Sequence, residues 1–144
     1  MDIDSQYDFF KFVNLDDDGN IGVVIDGGLV PNFEWTELIP AVGFSSFAGF
    51  QPMSYRKDVH TVFVSGILER TGSLLVPNNT LIGTLPVGFR PSNEMVIYGS
   101  MGTSPNSNNG DSIFNIKTNG EITLTNANIL NSGDVVRISG EVIL

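Results

Sequence analysis

The feature that most constrains this chain lies beyond residue 52. There, seven short runs of β-branched and aromatic residues follow one another: MSYRK, HTVFVSGILER, TLIGTLP, EMVIYGSM, SIFNIKT, GEITLTN and DVVRISGEVIL. Turn-formers such as RTGS, VPNN, RPSN, SPNSNNGD, TNG and LNSGD separate them, supplying glycine and asparagine for φ > 0 and proline to end a strand. Apolar residues alternate instead of recurring every third or fourth position, and no helical heptad intervenes. The pattern predicts an all-β, antiparallel fold.

Alternation also assigns faces. In the last run Val136, Ile138, Gly140, Val142 and Leu144 share the side expected to meet the core, against Val135, Arg137, Ser139, Glu141 and Ile143. In GEITLTN, Ile122 and Leu124 are expected inside and Glu121, Thr123 and Thr125 outside, as in an antiparallel sheet with one wet side. Two such sheets face to face give a jelly-roll-like antiparallel β-sandwich over residues 31–144. Asn119-Gly120 is the strongest hairpin signal.

Residues 1–30 read as a separate unit, because seven aspartates against the single Lys11 leave them at −6 while the remainder carries −3. FFKFVNL and IGVVI flank Asp-Asp-Gly-Asn, which predicts an N-terminal β-hairpin or extended anchoring segment. A hairpin alone is marginal, so Phe9, Phe10, Phe12, Val13, Ile21, Val23 and Ile25 are expected to bury against another subunit or a partner protein. The alternation of Asn14, Asp16 and Asp18 before Gly19 is similar to the first half of a calcium loop, but Ile25 stands where the bidentate glutamate belongs. A structural turn is therefore expected, with Asp16, Asp17 and Asp18 as weak cation candidates and no other metal site.

Two further segments carry candidate contacts. Residues 26–52 hold no long periodic element, yet Trp35, Phe44, Phe47 and Phe50 crowd there; they are expected to plug an open end of the core, with ligand stacking as the alternative. Residues 99–111, GSMGTSPNSNNGD, predict an exposed, mobile loop whose Ser104, Asn106, Asn108 and Asn109 carry the hydroxyl and amide groups that hydrogen-bond a sugar.

Several function classes are disfavoured. With 144 residues, 41% of them hydrophobic, the chain can build one ordinary core. A net charge of −9 with seven scattered basic residues argues against nucleic acid. The absence of cysteine removes disulfides, thiolate metal sites and thiol nucleophiles. Neither a signal-like N-terminus nor an eighteen-residue apolar run is present, so a soluble chain without membrane insertion is expected. No nucleotide or dinucleotide fingerprint occurs, and no cofactor is expected. For hydrolysis the candidates reduce to Glu34, Glu37 and Asp58 with the lone His60, residue types without a defined constellation.

Trp35, YRK at 55–57, TVFVSGIL at 61–68, TLPVGFRPS at 84–92 and IKTNGEITL at 116–124 together form an ordered pattern. It resembles the terminal β-sandwich domain of tail-fibre, baseplate and receptor-binding proteins of bacteriophages, over roughly residues 33–144. In that family the tyrosine-arginine turn opens a strand carrying a glycine, and the LPVGFRP stretch makes a bend before the next strand. The resemblance implies a non-enzymatic virion protein, a homotrimer, made in the host cytoplasm and carried on the capsid surface or tail tip. Residues 1–30 would join other virion proteins and the β domain would face outward, with Trp35, Phe47, Tyr55 and the 99–111 loop as candidate contacts to a host-surface glycan. A trimer would also cover the apolar faces left by two-sided strands, where Val62, Val64 and Leu68 oppose Phe63 and Ile67, and Met95 and Ile97 oppose Val96 and Tyr98. The alternatives are a capsid head-fibre or decoration protein serving assembly or stability, and a small polysaccharide-degrading enzyme.

Overall fold

The computed structural model describes residues 34–72 and 76–144 and, of the first 33 residues, the backbone of three strands. Two compact units result, Met1–Glu34 and Trp35–Leu144. In the first, β1 (Val13–Leu15) pairs antiparallel with β2 (Ile21–Ile25), Val13 opposite Val23, and β2 pairs in turn with β3 (Gly28–Leu29). The turn carrying Asp16, Asp17 and Asp18, and the side chains of Phe9, Phe10, Phe12, Val13, Ile21, Val23 and Ile25, lie outside the described residues.

The second unit is all-β and antiparallel. Its strands are β4 (Thr36–Glu37), β5 (Phe44–Ser46), β6 (Ser54–Lys57), β7 (Thr61–Arg70), β8 (Thr80–Thr84), β9 (Met95–Gly102), β10 (Gly110–Ile116), β11 (Glu121–Leu124) and β12 (Val135–Ile143). Each of the seven apolar runs beyond residue 52 supplies one of β6 to β12. Hydrogen bonding joins all nine into a single curled sheet, in the order β4-β6-β7-β12-β9-β10-β11-β8 with β5 beside β7. The two layers expected from the sequence are thus parts of one continuous sheet. Its ends meet: Ala41, just past β4, donates its N–H to the Ile82 carbonyl at 2.8 Å, and the Leu38 side chain fills the space over Gly83.

One apolar core occupies the inside of the curl. Val62, Val64 and Leu68 from β7, Ile97 and Met101 from β9, Phe114 and Ile116 from β10, and Val136, Ile138 and Val142 from β12 all contribute. Ile122 and Leu124 point inward as their alternation predicts. Three residues expected on the outer face are buried instead. Thr123 is buried, next to the register shift at Ile122/Thr123 that sets β11 against β8. Val135 and Ile67 are also buried, although both lie on the face opposite Val136 and Leu68; Ile67 is covered where residues 51–52 cross it, its N–H donated to the Gln51 carbonyl. That crossing explains the glycine in TVFVSGIL: a Cβ on Gly66, whose φ is +141°, would stand 2.4 Å from the Met53 Cα.

Two tight connections place the bottom of the sheet. Between β10 and β11, Gly120 takes φ +90° and the Asn119 side-chain oxygen accepts the Glu121 N–H at 3.0 Å, which closes the hairpin predicted from Asn-Gly. The LPVGFRP bend packs against it. Leu85 donates its N–H to the Gly120 carbonyl, Arg90 Nε returns to the Leu85 carbonyl at 3.0 Å, and Phe89 stacks edge-on to Tyr55 with ring centroids 4.9 Å apart. No helix among the described residues is long and apolar enough to cross a membrane.

Candidate functional site

The 103–109 loop follows β9 and is exposed at Ser104, Asn106, Asn108 and Asn109. Its composition offered nothing to hold it, and mobility was expected; the anchor comes instead from Arg137, on the outer face of β12 next to β9. Arg137 Nη2 donates to the Ser104 carbonyl at 2.8 Å, to the Pro105 carbonyl at 2.6 Å and to the Ser107 carbonyl, while Nε reaches Pro105 at 3.1 Å and Nη1 the Ser100 hydroxyl at 3.0 Å. A guanidinium fork suits this because its donors diverge in one plane toward several acceptors. Inside the loop the Ser107 hydroxyl accepts the Ser104 N–H and donates to the Ser104 carbonyl. The side-chain oxygen of Asn109 accepts the Thr103 N–H, and that of Asn108 accepts the Gly110 N–H. These two asparagines use their oxygens internally and keep their amide NH2 groups without an acceptor among the described residues.

The aromatic candidates stand elsewhere. Trp35 precedes β4, whose Thr36 pairs with Tyr55, and this register sets the indole over the Arg56 guanidinium at 5.0 Å. Arg56 lies opposite Phe63 on β7, and the Phe63 ring is also 5.0 Å from the guanidinium. Continuing across the sheet, Phe63 is opposite Glu141 on β12. Phe47 and Phe50 pack edge-on against each other, centroids 5.7 Å apart. Only Phe44 of the four aromatics expected to plug the core enters it; Trp35 and Phe50 remain 41% and 45% exposed. The reason is local: Phe44 lies on β5 against β7, whereas Phe47 and Phe50 follow β5 in a turn and Trp35 is spent on a cation. Tyr55 is half-buried against the core and Phe89. The structure therefore collects Ser104, Asn106, Asn108 and Asn109 on one loop and distributes Trp35, Phe47 and Tyr55 outside it.

The outer face also carries the unpaired apolar side chains expected on β9, with Val96 54% and Tyr98 68% exposed and Ile143 of β12 exposed as well. Of the residues considered for hydrolysis, Glu37 accepts the Ser46 hydroxyl at 3.2 Å, and Asp58 accepts the Val59 N–H at 2.6 Å in the β6–β7 turn beside His60. Glu37 pairs with Ser54, and Asp58 lies four residues beyond Ser54, just past the end of β6, about 13 Å away in extended chain. No group of three His, Asp or Glu among the described residues could hold a metal ion. The hydrogen bond from Lys117, 3.0 Å away, holds the Glu121 carboxyl below the usual carboxylate range, assisted by Asn119 and by the Lys117 charge. Both of its partners belong to the hairpin turn, so the shift is a feature of that turn. Two features escaped sequence reasoning, the Arg137 clamp and the Arg56 stack, because each depends on which strands are neighbours.

A curled antiparallel sheet around one core is an architecture already seen in solved structures of phage receptor-binding proteins. The chain has the fold of phage receptor-binding domains. It superposes on the receptor binding protein gp15 of Listeria phage PSA with a TM-score of 0.55 at 18% identity, covering 76% of this chain and 63% of that one. On the head domain of lactococcal phage bIL170 the TM-score is 0.53 at 23% identity, with 78% and 99% covered. The chain thus spans less than two thirds of the Listeria phage protein and nearly the whole of the lactococcal head domain. No protein-family model and no curated protein sequence matches it.

Proposed function

We propose that this chain is a non-enzymatic receptor-binding fibre protein of a bacteriophage virion, a homotrimer that attaches through residues 1–30 and presents its β domain to a host-surface glycan. The observation that carries the reading is the fold common to two phage receptor-binding proteins. The trimer is supported by Val96, Tyr98 and Ile143, an apolar outer surface that a second copy would cover. The glycan is supported by the clamped 103–109 loop, which holds free amide groups in a fixed arrangement and so lowers the ordering cost of binding. Three copies would add avidity to weak single sites. Dispersed carboxylates, with Glu37 and Asp58 bound to different partners, favour binding over turnover.

The test is direct. Fluorescently labelled intact protein is applied to host cells and to an array of bacterial surface glycans. Saturable binding that is competed by unlabelled protein supports the reading; binding to neither surface refutes it.

A further inference from the structure

Four arginines stand in the β domain, and three of them spend their guanidinium groups on backbone carbonyls: Arg70 on Leu130, Arg90 on Leu85, and Arg137 on the 103–109 loop. Arg56 is different. Its side chain makes no hydrogen bond or ion pair among the described residues; its Nε, like that of Arg70, is shut off from water without an acceptor. The rings of Trp35 and Phe63, from the chain on either side of β6, each lie 5.0 Å from the guanidinium carbon. Glu141 lies on the same cross-strand row, but Phe63 stands between it and Arg56. A half-buried cation, with no counter-charge bonded to it among the described residues, keeps its Nη donors to offer.

We infer that the Trp35–Arg56–Phe63 stack binds a single anionic group, a carboxylate or a phosphate ester, carried on a saccharide. The two neighbouring rings restrict where the guanidinium can sit, and a planar fork meets two oxygens of such a group at once. Partial burial strengthens that attraction relative to a fully hydrated cation. Trp35 is 41% exposed and offers the adjoining sugar ring an aromatic surface. The overall charge of −9 repels a long polyanion, so the recognition is of one charge at one place. The inference rests on the receptor-binding reading for its biological ligand, but the chemistry of the site is tested without it.

Trp35 is the single tryptophan of the chain, so its emission reports this site alone. Intact protein is titrated with glucuronate, with glucose 1-phosphate and with glucose. A saturable emission change is expected with both acidic sugars and none with glucose over the same range; response to only one acid would identify the preferred anion. R56Q should weaken the response at least tenfold with an unchanged far-ultraviolet spectrum, and R56K, which keeps the charge without the planar fork, should fall between. An equal response to glucose, no saturable response to either acid, or an unaltered response in R56Q overturns the inference. If R56Q does not fold, R56K and the comparison of acidic with neutral sugar still decide it. Host-cell binding separates the two claims: cell binding by wild type with no acid response removes this site alone, whereas acid response without cell binding removes the receptor-binding reading.

Discussion

Replacing Arg137 by alanine tests how the exposed loop is held. The guanidinium serves the carbonyls of Ser104, Pro105 and Ser107 and the Ser100 hydroxyl. Its Nη2 carries two hydrogens and cannot serve three carbonyls at full strength, so about three effective bonds are lost. Water replaces part of each once the loop is released, leaving a net cost of about 0.5–1.5 kcal/mol per bond. The sum is about 2–3 kcal/mol, which for a domain of this size lowers Tm by roughly 8–12 °C. Urea denaturation supplies the free energy, and amide hydrogen exchange supplies the location: protection should fall at 103–109 and persist in β7 and β10. R137K should recover part of the loss, since an ammonium is a compact donor without the fork. A cost under about 0.5 kcal/mol with unchanged protection at 103–109 would refute the clamp.

Other expected outcomes follow from the same geometry. Gly99→Ala would put a Cβ 1.9 Å from the Arg137 carbonyl of the neighbouring strand and should cost about 3 kcal/mol or prevent folding; Gly110→Ala, whose nearest atom would be Met101 Cγ at 4.0 Å, should change stability by less than about 0.5 kcal/mol. The Val96→Asp, Tyr98→Asp double variant should stay folded by circular dichroism yet run as a monomer in light scattering, and a trimer of unchanged mass would exclude this face from the interface. Because the folded Glu121 carboxyl is held below the usual range, its stabilising effect is complete above the ordinary carboxylate pKa and is lost as pH falls through the depressed value. Its NMR titration midpoint should lie below that of an unperturbed glutamate and move up in Lys117→Met.

Strand identity was legible because it is local. Alternation in HTVFVSGILER and DVVRISGEVIL predicts β7 and β12, and Asn119-Gly120 predicts the β10–β11 hairpin with Ile116 opposite Ile122. Strand order was not legible, because the C-terminal β12 inserts between β7 and β9 in the middle of the sheet, and alternation is blind to which strands pair. The same blindness hid the candidate sites. Arg137 reaches a loop some thirty residues earlier in the chain only because β12 lies beside β9, and Arg56 meets both rings only because β4 and β7 flank β6. Density of aromatics at 35–50 signalled importance without indicating burial, so Trp35 and Phe50 were expected inside and stand partly outside. Thr123 failed for a related reason, a bulge being a property of two paired strands.

The measurement that bears most directly on the central claim is competition for adsorption. Particles carrying this chain are mixed with host cells in the presence of increasing purified protein, and free particles are counted over time. Receptor binding by this chain predicts a dose-dependent fall in the adsorption rate, absent with an unrelated acidic β protein at equal concentration. Adsorption that is unchanged at protein concentrations saturating the cell surface would contradict it.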